Sequence, residues 1–322
     1  MGVKVGHKYD YEIGLRTYLP LRIKHMDNSN PLKRPIVAPA PNPLAQYYRR
    51  PGTYLELPSK GKFYSIAPKV SDTNELAIYP MTAKDELALK NPDALLNGEA
   101  LKQVIASVCP DIANVNEIPA PDIDAILVAM RMTSYGDDMS LNVNHNCAKS
   151  EGNSQHVTVG LGGVLATIKE IPDDVGNVML GSGVRVMLKP YTLEAQSKLL
   201  RVQFTSMRQL QAAEANEKVT IDEKADIANR GYDQLVILSQ EILAQSITTV
   251  ILPDGVEVTN AAHIADWVKN LDRASADRLD QELKRFGEYG ITRTLKIKCD
   301  YCGEDFTTDM LFDPTSFFAS GS

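Results

Sequence analysis

Leu57-Pro58-Ser59-Lys60-Gly61-Lys62-Phe63-Tyr64 is the stretch on which the reading of this fold turns. Pro58 fixes φ, the Ser59 hydroxyl can bond back to the backbone, and Gly61 can take φ > 0. The segment therefore predicts a tight turn, after which Phe63 and Tyr64 resume a strand. Working outward, Pro80-Met81-Thr82-Ala83-Lys84-Asp85-Glu86 predicts a helix start. Thr82 is a good cap, and Asp85 and Glu86 suit the positive helix N-terminus. Met130-Arg131-Met132-Thr133-Ser134-Tyr135-Gly136 predicts a helix end, with Tyr135 as anchor and Gly136 as a left-handed stop.

In this order and spacing the three strings resemble the baseplate protein family of T4-like contractile-tailed bacteriophages. The resemblance runs from about Thr53 to Leu161 and returns from Cys299 to Phe318. It implies a structural component of a contractile tail baseplate, assembled in the host cytoplasm, placed in the virion and bound to other baseplate proteins. It equally fits an assembly chaperone that is absent from the mature particle. A zinc-ribbon nucleic-acid adaptor is the alternative from another class.

Composition narrows these readings. The 322 residues, 43% of them hydrophobic, suffice for a buried core and suggest about two domains. The longest apolar runs are too short to span a bilayer, and Met1–Gly6 resembles neither a signal peptide nor a myristoylation site, so no membrane association is expected. The net charge of −7 is uneven, because residues 1–50 carry +6 and the remainder −13. An acidic body repels phosphate, and the arm lacks a dense Lys/Arg run. The expectation is no nucleic acid but contact with an acidic protein surface, its own or a neighbour's.

Along the chain, residues 1–52 form a Pro- and Tyr-rich arm. Seven prolines forbid a long helix and favour extended backbone, while Tyr9, Tyr11, Tyr18, Tyr47 and Tyr48 suit docking on a neighbouring subunit. Residues 53–190 are expected to form a small mixed core, in which Asp122 caps an apolar helix and Leu141–Cys147 and Val157–Leu161 alternate as a hairpin. A Gly-rich, strand-prone stretch, Gly160–Met187, completes it. Residues 191–292 are mainly helical, with a long hairpin built from Thr192–Ala215 and Ile221–Ser246; its apolar stripe is assigned to internal core. Residues 293–322 comprise a strand, a knuckle and an aromatic tail, Phe312-Asp313-Pro314-Thr315-Ser316-Phe317-Phe318, whose three exposed-looking rings either fold back, closing the tail onto the 140–160 hairpin, or dock on a partner. The fold class is thus α+β, with a zinc-ribbon-like β element joining residues near 147 and 300.

Chemistry concentrates in Cys299-Asp300-Tyr301-Cys302-Gly303. Two thiols three residues apart on a tight turn are half of a structural zinc site. In the resembled family the opposite limb is a second Cys-x-x-Cys, and here its second position is Ser150. The candidate metal ligands are therefore Cys147, Cys299, Cys302 and His145 (or His156), with a metal-free thiol cluster as the competing reading. Three thiolates and an imidazole leave no open coordination position, so zinc here is structural rather than catalytic. Enzyme motifs are missing: Gly176–Ser182 mimics a phosphate loop without its lysine, and the carboxylate pairs Asp122/Asp124 and Asp137/Asp138 are assigned to capping. Cys109 is expected as a buried core thiol, and His263 with Trp267 as core packing on one helix face. No catalytic residue is expected.

Overall fold

The computed structural model describes residues 42–91, 98–147, 154–216, 218–310 and 317–318. The chain divides into two units, Met1–Tyr48 and Arg49–Ser322. Within the first, Pro43–Tyr47 forms a 3-10 turn capped by Asn42, whose side chain accepts from the Leu44 amide at 3.0 Å. The rest of the arm expectation, residues 1–41, lies outside the described residues.

The second unit opens with a two-stranded ribbon, β1 (Thr53–Leu55) against β2 (Leu76–Ile78). Between them the Leu57–Tyr64 turn forms as expected, with Gly61 at φ 74° and its amide donating to the Ser59 hydroxyl at 3.2 Å. No strand resumes afterwards. Phe63 sits in the left-handed region at φ 72°, and this places its ring edge-on to Phe286, 5.9 Å away between centroids. A long-range aromatic contact outweighs local strand preference there.

Helix α1 (Ala83–Leu89) is closed by a capping box between Thr82 and Asp85. Helix α2 (Glu99–Val108) and helix α3 (Ala120–Tyr135) complete the first core with the ribbon. Helix α3 is buried almost all round, with Ile123, Ile126, Leu127 and Met130 hidden, as its uninterrupted apolar sequence requires. It begins three residues earlier than expected, because Pro119 is its cap and Pro121 suits its first turn. Asp122 thereby becomes a first-turn residue and is not the cap. Its buried carboxylate accepts from the Ser59 amide (2.8 Å), the Ser59 hydroxyl (2.5 Å) and the Tyr64 hydroxyl (2.9 Å), pinning the turn to the helix. Asp124 pairs with Arg293 instead of capping. Gly136 ends α3 at φ 98°, ψ 176°, a glycine conformation outside the left-handed helical basin.

The expected hairpin is β3 (Asp138–Asn144) paired antiparallel with β4 (Ser154–Gly160). After it, the stretch expected to be strand-prone, residues 160–187, begins with one short helix, α4 (Leu161–Leu165), because the Asp137 carboxylate accepts from the Gly162 amide at 2.6 Å, and turns to strand only from Asn177 onward.

A second core surrounds the sheet β5 (Asn177–Met179), β6 (Arg185–Leu188), β7 (Ile247–Ile251) and β8 (Glu257–Val258), antiparallel in that order. Register aligns Val178, Val186, Val250 and Val258 across all four strands. This valine row packs against α7 (Ala261–Lys269) and α8 (Arg273–Arg285). Between β6 and β7 run α5 (Leu193–Glu214) and α6 (Ile221–Ser246), of 22 and 26 residues, the expected helical hairpin. Its apolar stripe is only partly internal: Leu199 and Leu210 are half-buried, whereas Leu200 and Met207 face solvent. His263 is also exposed rather than core, while Trp267 packs on the second core.

The last strands, β9 (Thr294–Lys298) and β10 (Asp305–Asp309), flank the knuckle. Phe312 lies outside the described residues, while Phe317 and Phe318 are buried in the first core, which also holds Met139 and Leu161 from the two ends of the middle hairpin. Arg131, itself buried, donates to the Phe317 carbonyl and stacks between the Tyr135 and Phe317 rings at 5.6 and 5.4 Å. Among the described residues no helix is long and apolar enough to cross a membrane.

Candidate metal centre

The knuckle owes its shape to its own backbone. The Cys299 amide donates to Glu304 O, and the Gly303 amide, at φ 79°, donates to Cys299 O, both at 2.8 Å. This turn projects Cys299 and Cys302 toward the end of β3. There the chain has left the strand, and the Cys147 amide donates to His145 O at 2.9 Å. A tight turn, rather than the strand periodicity expected from sequence, directs His145 and Cys147 to one side.

The four ligand atoms of His145, Cys147, Cys299 and Cys302 all lie within 4.8 Å of one another. The His145 Nδ1 is 3.5 Å from Cys302 Sγ. A tetrahedral ion with bonds of about 2.3 Å to sulfur and about 2.0 Å to nitrogen sets sulfur–nitrogen separations of roughly 3.5 Å and sulfur–sulfur separations of roughly 3.8 Å. The donor set fits such an ion in number, chemistry and spacing, and these four residues could hold a metal.

Electrostatics favours the charged state of the cluster. Desolvation pushes the Cys299 thiol up, but the Cys302 and Tyr301 amides and the His145 ring outweigh it and bring it down to about 6. His145 is shifted upward by its hydrogen bond to Cys299. At Cys302 the Glu304 amide pulls downward, yet desolvation and the two other thiols leave a net upward shift. Three sulfurs this close compete for negative charge unless a cation is shared among them.

The surroundings hold the two limbs in place. Gln155 of β4 donates through Nε2 to Lys298 O at 2.9 Å and accepts from the Asp300 amide at 3.0 Å. Tyr301 donates to Ser154 O at 3.2 Å, and the His145 ring stacks on Phe306, centroids 4.6 Å apart. His156 stands outside this group. It is exposed on β4 opposite Asn142, and strand alternation turns it away from the side on which Gln155 meets the knuckle. Gln155 and Phe306 carry no motif; only the buried, odd-numbered phase of β4 hints at the former. Ser150 lies outside the described residues. Cys109 is remote and fully buried, and burial pushes its thiol up to about 12.

Comparison with known proteins bears on what this scaffold serves. The family model described as T4 bacteriophage base plate protein matches residues 52–319. Comparisons with curated proteins and with solved structures returned no significant match. The matched span takes in the ribbon, both cores and every member of the metal-capable group, and the chain belongs to the T4 bacteriophage base plate protein family.

Proposed function

We propose that this protein is a structural component of the mature contractile tail baseplate, acting through protein–protein assembly rather than catalysis. The observation that carries the reading is the family match across residues 52–319. On this reading the basic arm, residues 1–52, docks on a neighbouring baseplate protein, and the metal is a structural zinc held by Cys147, Cys299, Cys302 and His145. Four protein donors complete a tetrahedral shell and leave no position for substrate. The ion would join segments about 150 residues apart and oppose their separation on unfolding.

Quantitative mass spectrometry of purified tail particles tests the assignment. A small fixed ratio to the sheath and tube proteins is expected, and absence from finished particles would replace it with an assembly chaperone. Elemental analysis of the purified chain should find about one zinc per polypeptide, lost in Cys299→Ser.

A further inference from the structure

The His145 ring lies flat on the Phe306 ring, with centroids 4.6 Å apart and planes 10° from parallel. Phe306 reaches it from β10, where it stands opposite Ile297 of β9. Cross-strand partners share a face and side chains alternate along each strand. Phe306 therefore lies on the same face of the ribbon as buried Ile297 and, two residues further on, buried Cys299. One face of the ribbon carries both a sulfur and the surface on which the imidazole rests. An imidazole nitrogen offers its lone pair in the plane of the ring, so whatever fixes that plane fixes the direction from which an ion is bound.

The turn after β3 selects the nitrogen. Its Cys147 amide donates to His145 O at 2.9 Å, which folds the two ligand-bearing residues close together. A short reach suits Nδ1, bonded directly to Cγ, whereas Nε2 lies on the far side of the ring. Nδ1 is 3.5 Å from Cys302 Sγ, which matches the nitrogen–sulfur separation of roughly 3.5 Å that a shared tetrahedral ion sets. Turning the ring over about the Cβ–Cγ bond would keep it on Phe306 but put a carbon where Nδ1 now lies.

We infer that His145 binds the ion through Nδ1 and that Phe306 is the positioning residue that holds the ring in the required plane, an assignment that rests on the structural-zinc reading of these four residues. Ligating histidines are commonly steadied by a hydrogen bond from the second ring nitrogen, and here a stacked aromatic ring orients the imidazole. Such a stack is directional, because ring faces and ring edges carry opposite partial charge. With Nδ1 on the ion, Nε2 keeps the imidazole proton and points away from it, so the histidine contributes a neutral donor beside three thiolates.

Cadmium-113 magnetic resonance of the full-length chain tests the nitrogen. Cadmium suits the same thiolate and imidazole donors, and coupling through three bonds reaches only Hε1 from Nδ1 but both Hε1 and Hδ2 from Nε2. The expected result is coupling to Hε1 alone in the ring whose signals vanish in His145→Asn. Coupling to both protons overturns the Nδ1 assignment and leaves the four-ligand site standing. A chain that takes up neither cadmium nor zinc overturns the zinc reading and this inference together. Competition with a chelator tests Phe306. Phe306→Leu keeps apolar bulk without a flat face and should hold zinc about tenfold less tightly, while Phe306→Tyr keeps the ring and should stay within about twofold of wild type. A Leu variant as tight as wild type overturns the positioning role, and so does equal weakening in the two variants. The Phe306 ring current should also shift the His145 ring protons upfield in the wild-type chain, and ordinary shifts would overturn the stack even where Phe306→Leu does not fold.

Discussion

Gln155 grips the knuckle at Asp300, accepting its amide hydrogen at 3.0 Å while donating to Lys298 O at 2.9 Å from the same buried side chain. One side chain thus stands in for the backbone pairing that the described residues of the middle hairpin and the knuckle do not make. Gln155→Ala leaves a donor and an acceptor unpaired near the metal-capable group. The expected loss is about 1–3 kcal/mol by chemical denaturation, with weakened metal retention against a chelator. Unchanged stability and retention would mean that the sulfur cluster orients itself.

Asp122 offers a pH test. Burial pushes its carboxyl up to about 6, against the pull of Ser59 and Tyr64, from an ordinary value of 3.8. Between those values the native state holds more proton than the unfolded chain, so this group's contribution to stability declines as pH rises from about 4 to about 6. Relative to wild type, Asp122→Asn should remove a slope of order 1–3 kcal/mol across that window. Parallel stability–pH curves for the two proteins would show that the carboxylate stays ionised in the fold.

Gly176 holds φ 88° with its would-be Cβ 2.6 Å from Leu188 O and 2.8 Å from the Phe286 ring. Its amide also donates to Glu282 at 2.9 Å. Gly176→Ala is expected to cost more than about 2 kcal/mol, since backbone strain and overlap act together. Gly163→Ala, with open space around it, should stay within about 0.5 kcal/mol of wild type. Thermal melts of the pair decide this, and equal melting temperatures would contradict it.

Phe317 is a core residue despite its place five residues before the last. Phe317→Ala removes the ring stacked on Arg131 and leaves a cavity in the first core. A destabilisation of about 3–5 kcal/mol is expected in urea unfolding. A loss below about 1 kcal/mol would mean that the tail docks only loosely.

Local chemistry was legible in the sequence wherever neighbours along the chain determine it. Thr82 caps as read, Gly61 turns as read, and the two long helices begin and end within a residue or two of expectation. The T4-like baseplate family was legible too, in ordered short strings that the match over residues 52–319 bears out. Tertiary structure alone decided what required knowing which distant surface a residue meets. Phe63 abandoned its strand for Phe286, Asp122 served the Ser59–Tyr64 turn instead of its own helix, and Phe317 went inward because a buried guanidinium awaited it. The choice of His145 over His156 belongs to the same class. Both histidines stand near the hairpin, but only the turn after β3 aims a ring at sulfurs more than 150 residues away. Capping and turn preferences act over a few residues and are written locally. Partner choice across the fold depends on burial and register, which no local window contains.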